Sequence, residues 1–374
     1  METAEQLRAT EQGEDLFAIK GIHHLEFYVG NAKQAAYYYR RALGFTLRGY
    51  LGPETGVKDR ASYFVQQGKI RFILTTPLHP DSAIAEHIKI HGDGVRDIAF
   101  EVEDAAEAYR ITTERGARGV QPPAVTGDHF GEVRTSTIAT YGDTVHSFVE
   151  RGSYSGFFLP NFVERTDDLA EGFGLKHVDH VVGNVDWNKM EETVNFYRDV
   201  FGFSRFVSFD DKDISTEYSA LRSTVVANSN KWVKFPINEP AEGLKRSQIE
   251  EYVQFYKGAG VQHVAMESTN ILETIAKMRA NGVEFISVPE TYYSDLVERV
   301  GAIQEDVAEL KALNILVDVD DKGYMLQIFT KPVEDRPTLF FEIIQRRGGE
   351  SFGKGNFKAL FEAIERDQAE RGNL

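Results

Sequence analysis

GIHHLEFYVGN, residues 21–31, returns far downstream as KHVDHVVGN, residues 176–184. Each stretch holds two histidines ahead of a Val-Gly-Asn. Laying one mark on the other pairs Val29-Gly30-Asn31 with Val182-Gly183-Asn184. A short, partly alternating apolar run precedes each mark and reads as a strand. A helical stretch follows, NAKQAAYYYRRALGF in the first copy and NVDWNKMEETVNFYRDVFGF in the second. Asn31 and Asn184 fall where helix N-caps belong, and Gly44 and Gly202 fall where the helices should stop.

A second echo supports the first. GDGVRDIAFEVED, residues 92–104, resembles GAGVQHVAMESTN, residues 258–270. A slide of 166 residues maps Gly94 onto Gly260 and also Gly116 onto Gly282. A third, weaker echo pairs VHSFVERG, residues 145–152, with FFEIIQRR, residues 340–347, when Arg151 is laid on Arg346. The chain therefore reads as an internal duplication. The expected fold class is α+β, with two open barrel domains built from paired β-α-β-β-β units. Residues 1–16 read as a loose polar tail, 17–152 as a barrel without metal, and 153–174 as a link. Residues 175–374 read as the catalytic barrel with a C-terminal lid helix. A cupped sheet of this kind has room for a metal and a small ligand.

The bulk numbers exclude several classes. With 374 residues, one average domain is exceeded. A formal charge of −16 disfavours nucleic acid and anionic membranes as partners. The absence of cysteine removes disulfides, thiolate nucleophiles and thiolate-bound metals. No apolar run approaches the ~20 residues of a membrane span. METAEQLRATEQGEDL does not read as a targeting segment. These features lead to the expectation of a cytoplasmic protein.

The duplication serves as an internal control for the histidines. Under the first alignment His24 faces His177 and Phe27 faces His180. Residues common to both halves are read as structural, and residues that differ at a matched strand position as functional. His177 and His180 are three apart, so on a strand they point to opposite faces. His180 is taken as the one in the cup, with His177 and His24 as packing or surface residues. The second alignment sets Asp97 against His263, and the third sets Ser147 against Glu342. The second half thus holds His180, His263 and Glu342 where the first holds Phe, Asp and Ser. Two imidazoles and a carboxylate on one face make the ligand set of a mononuclear non-haem Fe(II) site, with positions left open. Scattered histidines are more often structural than ligating. Glu342, however, lies in the apolar strand LFFEIIQ, where an unpartnered carboxylate is costly to bury.

Four uncharged amides lie in the same half: Asn238 in FPINEP, Gln248 in KRSQIEEY, Gln262 beside His263, and Gln327 in GYMLQIF. Each alone reads as a surface or turn residue. Together they suit a ligand bearing carboxylate, keto and phenol oxygens. Phe357, Leu360, Phe361 and Ile364 follow i, i+3, i+4, i+7 and predict an amphipathic helix. Gly353 and Gly355 ahead of it suggest a hinged lid.

FPINEP, SQIEEY, GAGVQHVAM, GYMLQIFTKP, RPTLFFEIIQR and FGKGNFKALFEAIE, with RGNL at the end, resemble the signature blocks of the 4-hydroxyphenylpyruvate dioxygenase family. VGNAKQAAYYY, HGDGVRDIAFEV and IATYGDT extend the resemblance through the first half. It implies a duplicated vicinal-oxygen-chelate fold and one Fe(II), with ligand positions falling on His180, His263 and Glu342. It places the substrate-contacting positions on Ser223, Asn238, Gln248, Gln262 and Gln327. It places the aromatic wall and lid on Phe329, Phe340, Phe352 and Phe357. Ser351 and Met325 depart from the family's usual Gly and Leu.

The resemblance further implies that 4-hydroxyphenylpyruvate and O2 give homogentisate and CO2 in tyrosine catabolism, by a homo-oligomer, dimer or tetramer. Three alternatives share the fold. A 4-hydroxymandelate synthase would take the same substrate. An extradiol dioxygenase would need a further pocket histidine, for which the second half offers only His177. A non-catalytic binding protein would have no use for open metal positions.

Overall fold

Two sheets with one and the same strand order organise the chain. The computed structural model describes residues 15–166, 172–211, 215–216 and 218–373. The expected tail, residues 1–16, lies almost wholly outside them. The first half runs β1 (Ile19–Tyr28), α1 (Ala32–Leu43), β2 (Thr46–Leu51), β3 (Arg60–Gln67) and β4 (Ile70–Pro77). It continues with α2 (Ala83–His91), β5 (Gly94–Val102), α3 (Ala105–Glu114), β6 (Gly119–Asp128), β7 (Gly131–Ala139), β8 (Val145–Glu150) and the short β9 (Val163–Glu164). The second half runs β10 (Leu175–Asn184), α4 (Met190–Phe201), β11 (Ser204–Phe209), β12 (Ala220–Ala227) and β13 (Lys234–Ala241). After α5 (Gln248–Tyr256) come β14 (Gly260–Ser268), α6 (Ile271–Ala280), α7 (Leu296–Val300) and α8 (Val307–Leu313). The sheet is completed by β15 (Leu316–Val319), β16 (Tyr324–Phe329) and β17 (Phe340–Arg347), and α9 (Phe357–Glu370) ends the chain.

The first sheet is ordered β6-β7-β8-β5-β1-β4-β3-β2-β9 and the second β11-β12-β13-β10-β14-β17-β16-β15. Read from the opposite edge, the second repeats the first, apart from β9. Each half is thus two β-α-β-β-β units joined through an antiparallel central pair, β1 with β5 and β10 with β14. Local signals set the helix ends. The Asn31 side chain accepts from the Gln34 amide, Arg40 and Arg41 occupy the last turn of α1, and Gly44 follows in the left-handed conformation. Gly202 ends α4 in the same way, with φ 73°.

The register of the central pairs corrects the alignment of the two opening stretches. In the first half His24 pairs with Ala99, Glu26 with Asp97 and Tyr28 with Gly94, with bulges between Ile22 and His24 and between Glu26 and Phe27. In the second, His180 pairs with Ala265, Val182 with His263 and Asn184 with Gly260, with bulges between Val178 and His180 and between Val182 and Gly183. The strand slide is therefore 156, and His24, not Phe27, occupies the place of His180. The Val-Gly-Asn marks are out of step. The first is the turn into α1, whereas Asn184 is still strand and fully buried. Asn184 is not the N-cap of α4; Lys189 is. Extra residues between strand and helix in the second copy break any single offset.

The matched pairs Asp97/His263 and Ser147/Glu342 keep their places in the parallel strands that complete each centre. In the first half, however, the Ser147 hydroxyl and amide donate to the Asp97 carboxylate at 2.5 and 2.9 Å. The His24 ring bonds His23 through the Nδ1 atoms and meets Phe158 edge-on. Phe158 belongs to the stretch read as a link. It stacks on Phe64 with centroids 3.8 Å apart, in a cluster with Ile73, Phe157, Leu159 and Phe162. The first cup is filled by its own exit segment.

One hydrophobic core continues through both halves, from Leu25, Phe27 and Phe72 to Val181, Phe235 and Phe341. His146 lies in this seam, between Phe100 of the first half and Phe235 of the second. Its Nδ1–H donates to the Ile98 carbonyl at 2.9 Å, and Nε2 accepts from the Tyr197 hydroxyl at 2.8 Å. Burial lowers its pKa to about 4. The unfolded chain binds this proton below about pH 6.5 and the folded one does not. Stability from neutral His146 is thus complete above pH 6.5 and is lost as pH falls toward 4, by on the order of 3 kcal/mol. Urea unfolding across this range should give a shallower acid-side loss for His146→Gln than for the parent, by close to one proton. Equal slopes would contradict the assignment.

Candidate metal centre

Three adjacent strands deliver the three proposed ligands. β14 supplies His263, its antiparallel neighbour β10 supplies His180, and its parallel neighbour β17 supplies Glu342. Ala265 stands opposite both His180 and Glu342, and its methyl group leaves the space above the row open. His263 lies two residues before Ala265 and so on the same face. The His180 Nε2 atom is 3.0 Å from Glu342 Oε2, and the His263 Nε2 atom is 3.6 Å from the same oxygen. All three residues are buried.

Hydrogen bonds behind the rings fix which nitrogens face inward. The Asp179 carboxylate can only accept, so His180 Nδ1 carries the proton of their 2.7 Å bond. His263 Nδ1 is likewise 3.1 Å from the side-chain amide oxygen of Gln262, Oε1. In the neutral rings both Nε2 lone pairs then point at a carboxylate oxygen. Such a convergence of electron pairs calls for a cation, and the donor set fits a divalent metal. Burial alone would raise Glu342, but His180 and His263 reverse this and hold it well below the usual range. Burial likewise opposes charge on His180, yet Glu342 and Asp179 keep its pKa raised. His263 is lowered, chiefly by burial.

Asp179, Arg346 and Lys234 form a layer behind the ligands that sequence reasoning missed. Arg346 donates twice to Asp179, at 2.8 and 2.9 Å, and Lys234 lies 3.3 Å away. Arg346 also holds the carbonyls of Gly349 and Ser351, at the entry to the lid. Asp179 would be raised by burial, but Arg346 and His180 bring it well below its ordinary value. The signal was present in KHVDHVV. Asp179 is a carboxylate in an apolar strand, the same argument that singled out Glu342.

The twelve residues named from sequence surround one cavity. Ser223, Asn238, Gln248, Gln262 and Gln327 line it together with Phe329, Phe340, Phe352, Phe357 and the three ligands. Phe340 stacks on His263 at 4.8 Å, Phe329 meets it edge-on at 5.9 Å, and Phe352 lies 5.2 Å from His180. Leu360, Phe361 and Ile364 of α9 close the cavity, and Phe209 and Leu221, unnamed at the sequence level, complete its apolar side. Gln262 reaches Gln248 at 3.4 Å, and Asn238 donates to Asn184 at 3.3 Å. Gly353 has φ +80°, a left-handed backbone that favours glycine at the turn into the lid, and a Cβ there would press on the Gln327 side-chain amide. Against the expectation from their spacing, His177 and His180 share one face of β10, because the bulge at Asp179 sets them opposite Glu267 and Ala265. His177 nevertheless lies outside the cavity lining and pairs with Glu267 at 3.0 Å.

Metal affinity should depend on the layer behind the rings. Asp179→Asn should weaken divalent-metal binding at this centre about 10- to 100-fold, read by calorimetric titration, with the fold retained. His24→Ala should leave it unchanged despite the matching strand position, because Asp97 and Ser147 are bonded to each other. Unchanged affinity in Asp179→Asn, or loss in a folded His24→Ala, would contradict this geometry.

A sequence profile of the Glyoxalase/Bleomycin resistance protein/Dioxygenase superfamily matches residues 21–139 and 177–328, once in each half. The chain is 48% identical over 373 residues to a 4-hydroxyphenylpyruvate dioxygenase of Yarrowia lipolytica, covering 96% of this chain and 95% of the relative. It is 49% identical over 367 residues to that of Dictyostelium discoideum, covering 95% and 100%. A mutant 4-hydroxymandelate synthase from Streptomyces coelicolor is similar in structure, with a TM-score of 0.83 and 28% identity, over 94% of this chain and 99% of that one. With the duplicated sheets and the paired-histidine, single-carboxylate centre, these likenesses show that the chain belongs to the 4-hydroxyphenylpyruvate dioxygenase family.

Proposed function

We propose that this chain converts 4-hydroxyphenylpyruvate and O2 to homogentisate and CO2 at a single Fe(II) held by His180, His263 and Glu342. The observation that carries this reading is the convergence of the three ligands on one face of a cavity otherwise lined by neutral amides and phenylalanines. Bound there, Fe(II) would supply Lewis acidity toward an α-keto acid and the electrons for activating O2. Its two positive charges and one glutamate leave a net positive centre inside an acidic protein of charge −16.

The remaining work falls to the chain itself. Ser223, Asn238, Gln248, Gln262 and Gln327 present donors and acceptors to the carboxylate, keto and phenol oxygens without adding charge. Phe329, Phe340, Phe352 and Phe357 hold the ring and exclude water from a reactive site. α9 covers the entrance, and the Arg346 bonds to Gly349 and Ser351 tie that lid to the ligand layer. An extradiol reading lacks its acid-base group, because His177 is not among the residues lining the cavity and its ring is paired with Glu267. The relatives at 48–49% identity favour the dioxygenase over the synthase, whose likeness is 28%. Among the described residues no helix is long and apolar enough to cross a membrane.

Anaerobic loading with Fe(II), followed by 4-hydroxyphenylpyruvate and O2, should give homogentisate by chromatography with matching release of CO2. Formation of 4-hydroxymandelate, or no turnover, would overturn the reading. Gln248→Leu should lower kcat/KM about 10- to 100-fold, the loss expected when one hydrogen bond to a charged or strongly polarised ligand is removed.

A further inference from the structure

A second cluster of ligating side chains lies at the seam between the halves and shares no residue with the centre above. His87 and His91 stand four apart on one face of α2, with ring centroids 4.4 Å apart. Asp143 reaches them from the turn between β7 and β8. One ligand atom from each of the three lies within 4.8 Å of the others.

The hydrogen bonding of His91 is incomplete without a cation. Its Nδ1 atom lies 2.5 Å from the Tyr256 backbone carbonyl. A carbonyl only accepts, so Nδ1 carries the proton and, in the neutral ring, Nε2 carries a lone pair. That lone pair faces Asp143 Oδ2, another acceptor, at 2.9 Å. A proton or a metal ion must stand between them. The adjacent His87 Nε2 is buried with no hydrogen-bond partner. A proton shared by His91 and Asp143 would leave it unexplained, whereas a metal ion would use it.

We propose that His87, His91 and Asp143 form a second divalent-metal site of the zinc type. Two imidazole nitrogens and one carboxylate oxygen suit Zn2+, with water as the fourth ligand on the exposed Asp143 side. The surroundings supply the backing such a site needs. Tyr28 packs edge-on against His87 at 5.3 Å, and Tyr256 stacks on His91 at 4.5 Å. The Tyr256 carbonyl fixes the His91 tautomer from behind. Arg96 opposes a dication, and Asp143 offsets it. The ion would fasten α2 to the β7–β8 turn and, through His91, to α5 of the second half.

Metal-free protein titrated with Zn2+ should bind two equivalents per chain, counted by elemental analysis after gel filtration. His263→Ala should bind one. His263→Ala combined with either Asp143→Asn or His87→Asn should bind none, with circular dichroism confirming the fold. Asp143 is largely exposed, so its variant tests the site without disturbing the core. Co2+ bound to His263→Ala should show the visible absorption of a four-coordinate ion, abolished by Asp143→Asn. One equivalent in the parent, or a second equivalent that survives both substitutions, would overturn the proposal. Neither outcome depends on catalytic turnover.

Discussion

Glu342 is a charged carboxylate in the middle of an apolar strand, and the second half of the molecule is arranged around keeping it charged. An isolated ion of this kind would protonate rather than stay buried. Here two imidazoles face it, each with its proton held on the far side by a neighbouring acceptor. Behind them Asp179 is matched by Arg346 and Lys234, whereas the counter-charge that Glu342 and the two inward lone pairs call for is a metal cation. Such a network adds little stability for its size, since desolvation offsets most of its attraction. What it does provide is orientation. It fixes the ring tautomers and joins the ligand shell to the loop that leads into α9.

The duplication shows how one strand order can serve two ends. Both halves place a histidine at the same strand position, His24 and His180, so the difference between them lies in the partners. In the first half Asp97 and Ser147 bond each other, and Phe158 fills the cup by stacking on Phe64. In the second half His263 and Glu342 leave their lone pairs facing inward, and the cavity is closed by a helix of the chain's own terminus. A cup that is plugged contributes core; a cup that is only covered can admit a ligand. The continuous core between them lets the first half serve as the rigid support on which the second is built.

Much of this was legible in the sequence, because duplication exposes what local propensity cannot. Asn31, Gly44 and Gly202 marked helix ends correctly, for these positions depend on local backbone chemistry alone. The 166-residue slide held because β5 and β14 share one unbroken run from strand into helix. The Val-Gly-Asn alignment failed because β-bulges and extra residues before α4 shift strand and helix by different amounts. His180 was therefore reached by comparison with the wrong residue, Phe27 in place of His24. Phe158 escaped notice because a Gly/Pro-containing segment reads as a connection, and only the folded cup shows what its rings fill. Asp179 stands between two histidines in KHVDHVV, where a carboxylate reads as part of a polar cluster, although a buried aspartate raises the same question as Glu342.

The account rests on a metal held between β10, β14 and β17. Anomalous diffraction at the iron edge, from crystals of the anaerobically loaded protein, tests it most directly. The prediction is an iron peak at the cavity floor, bonded by His180 Nε2, His263 Nε2 and one Glu342 oxygen. Iron held by other residues, or an iron peak with any of these three side chains turned away, would contradict it.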